Sequence, residues 1–271
     1  MHEKRITDFA GFSKWLNLGI PGIFRGHSDA DWPLQSSISR YFDSTSLDKD
    51  YWITEEYYSI REFQRKAPFY AQRLPESEDW VSWMAMIQHH GGRTRLVDFT
   101  YSRYVAAYFA AADAASDFAV WNITDPWIRD IATHQISGDL NSLREDSLQQ
   151  QHLAANSFIK SLFSDHRGGN TTYDTIEGGI FMLEPIWSTQ RQSIQQGLFL
   201  MPRDIHKGFL DNISCSIQKA EDDFYKNEHI TKYIFSHSLR GIILSTLKEM
   251  NVTSETLYGG LDGLARSVLK F

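Results

Sequence analysis

The chain contains one cysteine, Cys215, and seven prolines in 271 residues, and nowhere does it run to the roughly 18 consecutive apolar residues of a membrane span. A lone cysteine excludes an internal disulfide and fits a reducing compartment. Between Ile213 and Ile217 it reads as a small core residue. The opening Met1-His2-Glu3-Lys4-Arg5-Ile6-Thr7-Asp8 has no apolar stretch of the secretory kind, so a soluble, cytoplasmic protein with no membrane partner is expected. Positive charge is also in short supply: 27 Lys plus Arg stand against 34 Asp plus Glu, a formal net charge of -7. Non-specific nucleic-acid binding draws on clustered basic charge and is therefore not expected, although a local basic pocket is compatible with this balance. Absent too are Gly-x-x-x-x-Gly-Lys-Ser/Thr, Gly-x-Gly-x-x-Gly, Gly-x-Ser-x-Gly, His-Glu-x-x-His and paired cysteines. These gaps weigh against P-loop, Rossmann, α/β-hydrolase and zinc sites, and no metal is expected.

What is present supplies a core. Hydrophobic residues make up 42% and aromatic residues 14%, enough for one large domain or one domain with a helical appendage. Thr7 or Asp8 caps a first helix in which Phe9, Phe12, Trp15 and Leu16 recur at helical spacing before Gly19 and Pro21 stop it. Short strands are expected at 22–25, 94–98, 118–122, 179–183, 197–201 and 230–236, and helices at 47–67, 79–89, 102–115, 185–195 and over most of the chain after Ile205. Across 123–178 the apolar positions thin out, 165–172 reads as an exposed loop, and the stretch suits a lid or insertion. Short strands among longer helices predict an α+β domain, with a small mixed or antiparallel sheet and several packed helices.

The chemistry concentrates in three islands, 22–27, 88–110 and 191–202. Residues 88–100, Gln-His-His-Gly-Gly-Arg-Thr-Arg-Leu-Val-Asp-Phe-Thr, place polar, charged and glycine residues where a strand should hand over to a helix. Arg25, at a strand end before Gly26, could grip a diphosphate or carboxylate with two parallel hydrogen bonds, or could pair with Asp98 to tie strands together. His89 and His90 diverge by about 100° on a helix, so only one can face a pocket. Such a histidine could bond a ribose hydroxyl or base edge or move a proton, or it could bond the last helical carbonyls. Arg95 and Asp98 fall on opposite faces of a strand, and Asp98 could instead cap the next helix through Tyr101 or Ser102. Thr94 and Thr100 could each donate to a nucleotide or satisfy local backbone. Tyr108 and Phe109, spaced with Tyr101, Tyr104 and Val105, read mostly as core contacts, with stacking on a ring as the alternative.

Ile23-Phe24-Arg25-Gly26-His27 and the run Gln88, His89, Gly91, Thr94, Arg95, Leu96, Asp98, Thr100, Ala107, Tyr108, Phe109 and Ala110 together resemble the FRG family, named for its Phe-Arg-Gly tripeptide. Val97, Phe99 and His27 depart from that pattern. The resemblance extends to Arg191 to Leu200 and to Leu261-Asp262-Gly263-Leu264-Ala265, which implies a single FRG-type domain over 1–271. More weakly, an arginine on one strand, a threonine before a helix and a polar pair before a late strand resemble the layout of ADP-ribosyltransferase-like domains. That likeness implies an NAD- or nucleotide-binding enzyme, an ADP-ribosyltransferase or NAD glycohydrolase, with NAD as substrate and a nucleotide-type small molecule, then a protein acceptor, as partners. A role in bacterial defence or as a toxin would fit. Arg25 would hold phosphate, Thr94 and Thr100 would meet ribose, and His89 or Tyr108 would place the leaving base. Gln195 or Gln196 would stand where a glutamate is usual, with Arg25, His89 and Gln196 as the catalytic set. Gly26, His27, Gln88, Arg95, Asp98 and Arg191 complete the expected ligand-binding set. Glutamine lacks the negative charge that stabilises an oxocarbenium-like transition state, which keeps a non-enzymatic nucleotide- or protein-sensing module open as the second reading. A nuclease or other phosphoryl-transfer enzyme comes third, for want of a cluster of metal-binding carboxylates.

Overall fold

The computed structural model describes residues 1–19, 21–137, 147–167, 176–184, 190–218 and 229–268. In chain order they form β1 (His2–Ile6), α1 (Phe9–Leu16), β2 (Gly22–His27), α2 (Ser37–Asp43), α3 (Trp52–Lys66), α4 (Trp80–His89), β3 (Val97–Thr100), α5 (Arg103–Ala112) and β4 (Phe118–Thr124). The chain continues through α6 (Asp125–Ser137), α7 (Ser147–Arg167), β5 (Ile180–Leu183), α8 (Gln190–Ile194), β6 (Gly197–Pro202) and α9 (Phe209–Gln218). It closes with β7 (Ile230–Phe235), α10 (Arg240–Glu249), α11 (Ser254–Tyr258) and α12 (Gly260–Val268). The seven strands make one sheet in the order β1-β7-β4-β2-β3-β6-β5. The β1–β7 pair is parallel and the other pairs are antiparallel. This is the α+β architecture expected from short strands set among longer helices.

Alternation along the strands decides what covers each face. Ile23, Val97, Phe99, Trp121, Ile123, Leu198 and Leu200 point to one side, where Trp127, Ile128 and Ile131 of α6 and Phe209 and Ile213 of α9 bury them. The opposite side carries two helical groups. Over β2, β4 and β7, Phe24, Phe118, Val120 and Phe235 pack on α1, α5 and α10. Over β5 and β6, Phe181, Leu183, Phe199 and Met201 pack on α3, α4 and α7. Between the two groups lies β3. Its outward residues on that face, Asp98 and Thr100, are polar, as a strand bordering a cleft between two packed groups requires.

Several elements differ from expectation for identifiable reasons. β1 was not expected, because His-Glu-Lys-Arg-Ile offers one apolar residue and only Ile6 is buried. Its backbone pairing with β7 places it at the sheet edge. β3 begins three residues later than expected because Thr94 is committed to a turn: its amide and carbonyl bond Ser37 and Ile38, and its Oγ1 accepts from the Leu96 amide at 3.2 Å. Asp98 does not cap α5. Ser102 does, accepting from the Val105 amide at 3.3 Å, and Thr100 Oγ1 accepts from the Ser102 amide at 3.0 Å. The described part of 123–178 forms the end of β4, α6 and α7, with Ala155, Ile159, Leu162 and Phe163 of α7 buried. Residues 138–146 and 168–175, including most of the expected 165–172 loop, lie outside the described residues, as do 185–189 of the helix expected at 185–195. No helix among the described residues is long and apolar enough to cross a membrane.

Candidate functional site

β2, β3 and β6 are consecutive neighbours in the sheet, so the ends of all three islands meet over one cleft. A cavity of about 300 Å³ opens there, lined by Phe24, Arg25 and Gly26 of β2, by Gln88 and His89 at the end of α4, and by Asp98 and Thr100 of β3. Val105, Ala106 and Phe109 of α5 form one wall, Leu198 and Phe199 of β6 the floor, and Arg191, Gln192 and Gln195 of the α8 segment the other wall. Eight of the thirteen expected site residues therefore line it: Arg25, Gly26, Gln88, His89, Asp98, Thr100, Arg191 and Gln195.

Arg25 sits where β2 and β3 separate after the Phe24–Thr100 pair. Its Nη1 donates to the Asp98 carbonyl at 2.7 Å and lies 3.5 Å from the Asp98 carboxylate, while its Nε donates to His27 Nε2 at 3.1 Å. Arg25 thus ties β2 to β3, mainly through a carbonyl, and the same residue borders the cavity. Arg191 is placed differently. Its guanidinium lies 4.5 Å from the centre of the Tyr258 ring, Arg266 lies 4.4 Å from the same ring, and Arg191 makes no ion pair among the described residues. Tyr258 also meets Phe109 edge-on at 6.0 Å. Burial first, then the Arg191 charge and then His90, lowers the His89 pKa from 6.5, so His89 is a neutral imidazole at pH 7. His90 turns away into solvent, as the helical divergence of the pair requires.

β2 runs past Arg25 to His27, so Arg25 is not at a strand end, and Gly26 is needed for a close approach of protein rather than ligand. A Cβ at this position would stand 2.2 Å from the Ala106 carbonyl oxygen and 2.6 Å from the Ala110 amide nitrogen. The glycine lets the alanine-rich α5 lie directly on β2, with Val105, Ala106 and Phe109 of that helix along the cleft.

Five expected residues do not line the cavity. Arg95 is fully buried, paired through Nε with Glu56 at 2.8 and 3.0 Å, through Nη2 with the same carboxylate, and through Nη1 with the Arg203 carbonyl at 3.0 Å. Thr94 is buried, its hydroxyl donating to Gln88 Oε1. Tyr108 packs in the core beneath α5, and its neighbour Phe109 is the aromatic residue that reaches the cleft. Gln196 is exposed, held at φ 48° in the turn before β6, with its carbonyl accepting from the Tyr101 amide at 3.1 Å. The glutamine of that turn facing the cavity is Gln195. Its Nε2 donates to the Leu257 carbonyl at 3.0 Å, and its own carbonyl accepts from Thr100 Oγ1 at 2.6 Å.

His27 is the fifth. It is buried behind Arg25, edge-on to Trp32 and Trp121. Burial above all, then the Arg25 charge, lowers its pKa from 6.5 to about 3. The unfolded chain binds a proton near pH 6.5 that the folded chain refuses down to about pH 3, so His27 costs stability as the pH falls between those values. Acid unfolding curves of the wild type should lose about 1.4 kcal/mol per pH unit in that window relative to His27→Gln. Parallel curves for the two proteins would show that the imidazole is not held neutral by burial.

Sequence reasoning missed Gln192, Phe199, Tyr258 and Arg40, while Phe109 takes the cleft position left open for it or Tyr108. Gln192 sits one helical turn before Gln195 and Gln196, a spacing that could have identified it. Arg40 stands near enough to Arg25 and Asp98 for their charges to act on it, and nothing in its local sequence signals this. Among the described residues no group of three His, Cys, Asp or Glu side chains is placed to hold a metal ion.

Residues 21–118 match the family model of the FRG domain. The match contains the first two islands and ends before the third. No curated protein and no solved structure matches the chain, so the ADP-ribosyltransferase-like layout has no structural neighbour behind it.

Proposed function

We propose that this chain, which carries an FRG domain over residues 21–118, binds NAD or a related nucleotide in the cleft between α4, α5 and α8, and acts on it as an ADP-ribosyltransferase-like or NAD-glycohydrolase-like enzyme of the cytoplasm. The observation that carries the reading is the convergence of Arg25, Arg191 and neutral His89 on one cavity floored by Phe199 and walled by Phe109. Guanidinium groups match phosphate oxygens in pairs, and flat apolar faces suit a base. About 300 Å³ is at the small end of ligand sites, which run from roughly 300 to 1,000 Å³. Arg191 is the better probe of the two arginines, because Arg25 also ties β2 to β3. Stacking on Tyr258 fixes the Arg191 guanidinium without neutralising it. Arg191→Ala should raise the dissociation constant for NAD roughly 10- to 100-fold, the value of one charged hydrogen bond, with little change in melting temperature. Ligand-observed NMR titration of both proteins checks this; equal affinity would remove phosphate from this wall of the cleft.

Gln195, a neutral amide anchored to the Leu257 carbonyl, supports the second reading, a module that binds a nucleotide without consuming it. NAD line broadening by wild-type protein with no release of nicotinamide would select it. A carboxylate restored to this turn belongs at Gln195, since Gln196 points away from the cleft.

A further inference from the structure

A transferase or glycohydrolase cleft needs negative charge beside the ribose carbon that loses its base, and neither Gln192 nor Gln195 can provide it. Of the seventeen residues lining the cavity, one has a carboxylate: Asp98. The alternation that buries Val97 and Phe99 beneath the sheet turns Asp98 to the open face, beside its cross-strand partner Phe199. Its side chain is 59% exposed, and only Oδ2 is engaged, 3.5 Å from Arg25 Nη1, while Oδ1 has no partner among the described residues. A carboxylate committed to a structural ion pair would look different: Glu56 is buried and uses both oxygens on Arg95.

We infer that Asp98 is a catalytic residue of this cleft, supplying on β3 the carboxylate that the α8–β6 turn lacks; the inference rests on the nucleotide reading above. Nicotinamide leaves NAD with the electron pair of the bond between its ring nitrogen and ribose C1′, and becomes a neutral pyridine. The ribosyl cation left behind is stabilised by the Asp98 carboxylate. Water then adds to C1′ and gives its proton to solvent, so that NAD and water become ADP-ribose, nicotinamide and one proton. A protein nucleophile in place of water would give transfer by the same balance. Arg25 would keep its position in an Asp98 variant, because the backbone carbonyl of residue 98 and His27 hold it as well.

The test is Asp98→Asn, isosteric and exposed, compared with wild type for nicotinamide release and for broadening of NAD signals, with melting temperatures recorded for both. The expected result is a loss of release by a factor of about 10² to 10³, the usual effect of removing one transition-state stabiliser, with broadening and melting temperature kept. Release within threefold of wild type overturns the inference. So does loss of broadening together with release, which would make Asp98 a binding group. Wild-type protein that broadens NAD but releases nothing overturns the inference and leaves nucleotide binding standing. Wild-type protein that does neither removes both.

Discussion

Arg95→Met should lose about 3–5 kcal/mol of folding stability, the usual result of removing one partner from a buried ion pair. The pair joins α3 to the start of β3, and the third bond, to the Arg203 carbonyl, reaches the end of β6. Both side chains are essentially inaccessible, Arg95 at 0% and Glu56 at 1%. With the arginine gone, Glu56 would remain charged among Trp52, Ile53 and Ile60, or would take up a proton at some cost. Pairing Arg95→Met with Glu56→Leu should recover most of the loss, because two apolar residues of similar size leave no uncompensated charge. Urea unfolding of the single and double variants measures this directly. A single variant within 1 kcal/mol of wild type would mean that the guanidinium contributes nothing there, and would reopen its case as a ligand group.

Gly26→Ala should cost about 3 kcal/mol, at the upper end of ordinary overpacking. The added methyl would meet main-chain atoms of α5 at 2.2 and 2.6 Å, and main chain cannot rotate aside as a side chain can. α5 would have to lift from β2, loosening Ala106, Ala107, Ala110 and Ala111 in the core and moving Val105, Ala106 and Phe109 in the cleft wall. Gly241→Ala is the control: nothing lies within 4 Å of a Cβ there and the residue is helical, so the change should be neutral or stabilising by up to about 1 kcal/mol. Equal melting temperatures for Gly26→Ala and wild type would show that α5 does not rest on β2 as described.

The tripeptide Phe24-Arg25-Gly26 thus has three separate tasks in one strand: core packing, strand bridging with access to the cleft, and room for a helix. Alternation along a strand makes the first legible in sequence, and the strand-to-helix junction at 94–103 marked the neighbourhood of the cleft. The roles inside that junction were harder to read. Arg95 and Asp98 differ by three positions, and only the sheet tells which of them is walled in by α3. Gln195 and Gln196 are adjacent polar residues, and a left-handed turn at Gln196 decides which one faces inward. Tyr258 is more than sixty residues from Arg191, so their stacking had no sequence signal. β1 was hidden for another reason, since an edge strand held by backbone bonds needs little apolar character.

Hydrogen–deuterium exchange of the wild-type chain with and without NAD tests the central claim most directly. If the three islands build one nucleotide cleft, amides of 24–26, 88–100 and 191–199 should slow together on adding NAD. Unchanged exchange at all three, or slowing confined to a second groove of about 930 Å³ beside Tyr41, Glu55 and Arg93, would contradict it.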